Sequence, residues 1–182
     1  MPKFSNRITD AISTQIQANW SAKFTTEASA YAGTLTASEI TRWTSGIDWT
    51  KQFVREELPD QILTELNYKL PLFYLKALGG QSNPNGPNRG ILLASLNQAV
   101  LKVRWDSEQA IEPVATSAHA SALQGCIEST ILGIICNPAT RSNFGPGISF
   151  NSIVDWQRGD LVIGESGYSA TETYTFTFNL AV

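Results

Sequence analysis

Near its C-terminus the chain alternates without a break. Tyr174, Phe176, Phe178, Leu180 and Val182 interleave with Thr173, Thr175, Thr177 and Asn179. Period two over this length places the aromatic set on one face of an extended strand and the hydroxyl and amide set on the other. Both sets suit a strand, since aromatic and β-branched residues fit a pleated, half-buried surface. The fold must therefore contain a sheet whose one side packs on an apolar layer. Its other side is uncharged but wet and is free to meet a neighbouring subunit, so Thr173, Thr175, Thr177 and Asn179 are a candidate subunit-interface face.

What covers that sheet is legible further upstream. Ile8, Ile12, Ile16 and Trp20 recur every four residues behind Ser5, a plausible N-cap, and read as a helix. Residues 25–47, rich in Thr, Ser, Ala and Gly, have weak periodicity, and a helix returns at about residues 36–43 with Thr36 or Ser38 as cap. Residues 50–57 look helical, and Pro59 fits the first turn of a further helix through Ile62, Leu63 and Leu66. The acidic cluster Glu56, Glu57, Asp60 and Glu65 reads as the solvated face of these helices. His119, Leu123, Ile127, Ile131 and Ile134 define a long helix over about residues 117–135, flanked by Cys126 and Thr130 and stopped by Asn137-Pro138.

Strands fill the rest. Residues 70–78 form a short apolar run with Pro71 confined to its first residues, which predicts a strand apolar on both faces. Residues 91–105 resume as strand, clearest at 99–105, with Leu101, Val103 and Trp105 on the buried face and Val100, Lys102 and Arg104 on the wet one. Between them lies GGQSNPNGPNRG, residues 79–90, twelve residues without an apolar side chain except proline. Such a segment cannot be packed inside, so it reads as a loop that projects or is disordered. Ile148, Phe150, Ile153 and Trp156 lead to a turn at Arg158-Gly159-Asp160, and Leu161-Val162-Ile163 to another at Ser166-Gly167. The expected architecture is a single α+β domain over residues 1–182: a mixed or antiparallel β-sheet with helices packed on one face. Residues 1–68 are mainly helical, and residues 69–182 carry the sheet and the long helix.

Composition narrows the function classes. Charged residues make up only 16% of the 182, against about 25% in ordinary soluble domains. Polarity comes instead from Ser, Thr, Asn and Gln, which desolvate more cheaply than ions and suit a chain packed against neighbours. A net charge of −3 leaves no whole-chain basic footprint for nucleic acid. No apolar run approaches the length of a transmembrane helix, and the first residues lack the apolar stretch of a secretory signal, so a membrane partner is not expected. Cys126 and Cys136 have no His or Cys at metal-ligand spacing and read as small hydrophobes.

Catalytic templates fit poorly. His119, the single histidine, lies on an apolar helix stripe and reads as a packed or boundary residue rather than a general base. Gly164-Glu165-Ser166-Gly167 lacks the spacing of a nucleophile elbow. No phosphate loop or dinucleotide fingerprint occurs, so no cofactor and no metal is expected. Lys102, Arg104 and Trp105 interleave as in single-strand binders, but Trp105 points away from the two basic residues. A small carbohydrate- or ligand-binding module, stacking its ligand on Trp105, Trp156 and Tyr168, is the reading from a different class.

The order of elements is helices, strand, long polar loop, strand, helix, short strands and a long final strand. The pieces are the N-terminal helices, the strand Leu70-Pro71-Leu72-Phe73-Tyr74, the strand at 100–105, the helix at 118–135, the segment 148–163 and the strand at 173–182. This succession resembles the tail terminator proteins of long-tailed bacteriophages over most of residues 60–182. The resemblance implies a non-enzymatic virion subunit, made in the host cytoplasm, that closes into a ring, a homohexamer in that family. Such a ring caps the tail tube protein and joins the tail to the head through a neck or head-completion protein. It also implies that Gly80, Gln81, Ser82, Asn83, Asn85, Asn88 and Arg89 face the lumen or a partner ring, and that Lys102 and Arg104 lie where DNA passes. Another neck or head-completion subunit shares the same ring logic.

Overall fold

The four-residue stripe that opens the chain extends further than expected. In the computed structural model, which describes residues 4–55, 70–82, 94–107, 117–138, 144–164 and 167–181, helix α1 spans Phe4–Ser29. Ile8, Ile12, Ile16, Trp20, Phe24 and Ala28 are all buried. Residues four apart form an inclined ridge on a helix, so the buried stripe winds around α1 and meets different partners along its length. The polar side of the same helix is satisfied internally. Thr14, Thr25 and Thr26 donate to the carbonyls of Asp10, Ser21 and Ala22, each four residues back. Gln17 and Asn19 likewise reach Ser13 and Gln15.

After a turn with Gly33 at φ 88°, Thr36 caps helix α2, Ala37–Thr44, accepting from the Glu39 amide. A Thr-x-x-Glu spacing usually returns the Glu side chain to the cap; here Glu39 turns inward and is fully buried. Helix α3 is only Trp49–Gln52. The expected helix over residues 50–57 ends there, because Phe53–Val54 form strand β1, paired in parallel with Phe73 and Tyr74. Phe53 stacks on Phe73 with ring centroids 6.0 Å apart, and Gln52 donates to the Pro71 carbonyl. Tertiary contacts thus override a helical local pattern, and the N-terminal part adds a strand to the sheet. Residues 56–69, with the acidic cluster and the Pro59 helix, lie outside the described residues.

Strand β2, Leu72–Ser82, is apolar on both faces as expected: Phe73 and Leu75 enter the main core, while Leu72 and Tyr74 are buried on the opposite face with Val54 and Leu70. It runs past the expected end. Gly79, Gly80, Gln81 and Ser82 pair with Gln98, Asn97, Leu96 and Ser95 beyond a bulge at Leu78. The first four residues of the expected loop are therefore strand, since backbone pairing needs no apolar side chain. Strand β3, Ala94–Asp106, buries Leu101, Val103 and Trp105 and leaves Val100, Lys102 and Arg104 half-buried. Helix α4 covers Ser117–Ile135 and is buried on most sides. Strands β4, Ile148–Gln157, and β5, Val162–Gly164, lie along one edge of β6, Gly167–Ala181. The final strand is thus longer than residues 173–182, its first half hidden from a hydropathy reading by Ser, Thr and Glu.

The sheet order is β1-β2-β3-β6-β4, with β5 continuing the line of β4; all neighbours are antiparallel except β1 and β2. This is an α+β fold with a mixed sheet. Helices α1 and α4 pack on each other and on one face of the sheet. Gly125 of α4 lies so close to α1's end that a Cβ would sit 2.6 Å from the Tyr31 hydroxyl. The core divides into two aromatic groups. Trp20, Phe24, Trp43, Trp49 and Phe73 gather beside β2, with Trp20 edge-on to Phe73 at 5.0 Å and Phe24 stacked on Trp43 at 5.5 Å. Phe144, Phe150, Tyr174, Phe176 and Phe178 gather beside β6 and β4.

Candidate functional site

His119 stands at the start of α4 and is largely covered. Its Nδ1 lies 2.8 Å from the Thr34 carbonyl oxygen and its Nε2 3.4 Å from Glu39 Oε2. Trp43 Nε1 and Arg42 Nη1 donate to Glu39 Oε1 at 2.9 and 3.2 Å. Arg42 continues to the Asp106 carboxylate and to the Asp106 and Leu70 carbonyls. The result is a polar knot that fastens α2 to β3 and α4. A histidine held by a carbonyl and a buried carboxylate serves here as a brace.

A second polar knot joins β3 to β6. Glu172 is fully buried in β6, on the face shared by Tyr174 and Phe176. Trp105 Nε1 donates to its Oε1 at 3.0 Å and the Tyr174 hydroxyl donates to Oε2. Burial pushes the Glu172 carboxyl up to about 7, against the pull of these two donors. Burial likewise raises the Tyr174 hydroxyl, and the adjacent Glu172 adds to it. The sequence signal was present: position 172 has the parity of the apolar face.

Trp105 is therefore a core residue and cannot be a ligand-stacking surface; Trp156 is half exposed and Tyr168 partly so. Cys126 is buried, and burial pushes its thiol up to about 12, which leaves it protonated and unreactive. Among the described residues no three His, Cys, Asp or Glu side chains converge on a point. A shallow depression of about 270 Å³ between α1 and the end of α4 is lined by Asn19, Lys23, Thr26, Gly133 and Asn137, with Lys23 paired to Glu27. It gathers no set of polar groups around a reacting atom.

The candidate interface strand face is only partly open. Thr177 is buried: its Oγ1 lies 2.7 Å from Ser152 Oγ and accepts from Asn151 Nδ2 at 3.1 Å, and Asn179 reaches Asn151. Thr173 and Thr175 are half-buried in mid-sheet, beside Lys102 and Val100. Lys102 and Arg104 share this face with them. Of the candidate loop residues, Gly80, Gln81 and Ser82 belong to β2, whereas Asn83, Asn85, Asn88 and Arg89 lie outside the described residues.

The exposed apolar surface lies instead at the sheet's edge. Val154 and Trp156 on β4 and Val162 and Ile163 on β5 are 55%, 50%, 59% and 73% exposed. Between them the chain leaves the sheet and is pinned to α4: Gln124 donates to the Gly159 carbonyl at 2.9 Å, and Arg158 pairs with Glu128. Gly159 is required there, since a Cβ would lie 2.1 Å from the Thr171 carbonyl oxygen. Sequence reading missed this edge because bulges at Asn151 and Val154 break the alternation of β4.

No model of a known protein family matches the chain, and no curated protein sequence matches it.

Proposed function

We propose that the protein is a non-enzymatic structural subunit of a tailed-phage particle, a tail terminator that closes into a ring on the tail tube and joins it to the neck or head. The observation that carries this reading is the long edge formed by β4 and β5, with four exposed apolar side chains. Edge strands are protected in monomers by charges, proline, bulges or covering elements; among the described residues this edge has two bulges and Asp155 but no lysine, proline or covering element. Val154, Trp156, Val162 and Ile163 are spread along that edge, and apolar side chains on an unpaired edge suit an interaction site. The low charge content supports the same reading, because uncharged polar surface is the cheaper kind to desolvate between subunits. The half-buried Lys102 and Arg104 fit a passive contact with DNA better than a tight grip on it.

The decisive experiment adds the chain to polymerising tail tube protein and follows tube length by electron microscopy. A terminator caps tubes at a fixed length and is found as a ring at one end. Unchanged growth points to another neck or head-completion subunit. Light scattering that gives a strict monomer, together with specific carbohydrate or small-ligand binding, overturns the structural reading.

A further inference from the structure

Among the described residues, the outer side of β4 and that of β2 beyond Tyr74 are unpaired, and these two edges match each other. Lys76 of β2 pairs with Val100 of β3, Val100 with Thr175 of β6, and Thr175 with Asp155 of β4. Lys76 and Asp155 therefore stand at opposite ends of one row, on the same face of the sheet. Both are exposed, and neither forms an ion pair among the described residues. Each end also carries a bulge one or two residues away, which extrudes an apolar side chain: Leu78 on β2, 53% exposed, and Val154 on β4, 55% exposed. β1 occupies the outer side of β2 only at Phe73 and Tyr74. Among the described residues, nothing pairs on that side from Leu75 onward.

Strand direction completes the match. β2, β3, β6 and β4 alternate in direction, so a copy placed beyond β4 in the same orientation presents its β2 antiparallel to that β4. Antiparallel neighbours exchange hydrogen bonds directly, and opposite charges facing each other across such a pair stabilise it. We propose that successive copies of this chain join head to tail through these edges. β4 of one copy lies beside β2 of the next, Asp155 faces Lys76, and Val154 packs against Leu78 in a neighbouring row. The contact uses two different surfaces of the subunit, so it is heterologous; the twist between neighbouring strands then decides whether it closes into a ring. This assignment rests on the ring-subunit reading and specifies its interface.

Cross-linking tests it on the full chain, alone at high concentration and on tube ends, in a Cys136→Ala background. Directly opposite residues in an antiparallel pair lie within disulfide reach. A mixture of Asp155→Cys and Lys76→Cys chains forms intermolecular disulfides on mild oxidation, and neither variant does so alone. Charge reversal gives a second readout. Asp155→Lys and Lys76→Asp each weaken self-association about tenfold, and the two together in one chain restore it. Rings that assemble without the mixed cross-link, and that ignore both reversals, overturn the assigned edges while leaving the ring reading standing. A chain that stays monomeric at every concentration and on tube ends overturns both.

Discussion

Glu39 and Glu172 are both fully buried, yet different chemistry holds them. Glu39 lies against the Arg42 guanidinium and also receives the Trp43 indole N–H. Glu172 receives an indole N–H from Trp105 and the Tyr174 hydroxyl, both neutral donors. A cation offsets the desolvation of a carboxylate directly, whereas dipoles do so only in part. The first site is an electrostatic fastening between α2, β3 and α4. The second is a carboxyl placed where a proton can come and go near neutral pH.

The largest expected effect breaks the first site. Arg42→Ala removes the cation shared by Glu39 and Asp106 and should cost about 3 to 5 kcal/mol in urea denaturation, since it leaves a buried carboxylate without its counter-charge. At the second site pH itself is the probe. The folded chain keeps the Glu172 proton up to about 7, whereas the ordinary value is 4.5. Between these values the folded state binds more protons than the unfolded one. The stabilisation is complete below about 4.5 and is lost as pH rises through about 7, amounting to about 3 kcal/mol across the window. Glu172→Gln should remove that slope and make the protein more stable than wild type at pH 8; an unchanged profile would show that Glu172 is not the titrating group.

Parallel substitutions sharpen the contrast. Trp43→Phe and Trp105→Phe each delete one indole donor to a buried carboxylate and should cost about 1 to 2 kcal/mol. Trp105→Phe should also move the midpoint of the pH profile, upward, because the Glu172 carboxyl loses a donor that favoured the charged form. Smallest is Thr36→Ala, which removes the α2 cap and should cost about 1 kcal/mol at any pH between 5 and 8. If it also changed the pH profile, the two regions would not be independent.

Legibility in the sequence followed the range of the interaction. The α1 stripe, the long helix α4, the both-faces-apolar start of β2 and the alternation of β6 all depend on residues a few positions apart. Gly79–Ser82 and Phe53–Val54 depart from their local pattern because strand partners 13 to 20 residues away in sequence decide their conformation. Composition alone marks the neutral polar residues as docking surface, yet many bond within the chain. Thr25, Thr26, Thr41 and Thr44 donate to carbonyls of their own helices, and Thr177 is tied to Ser152 and Asn151.

The sequence by itself determined that this chain makes a half-buried sheet with an aromatic inner face and amphipathic helices to cover it, because period and propensity are local properties of the backbone. Only the tertiary structure decided which carboxylates lie inside and which edge remains open. It also placed Lys76 and Asp155 on one row. Those outcomes depend on register across four strands, and one residue of slip would turn each of these side chains to the opposite face.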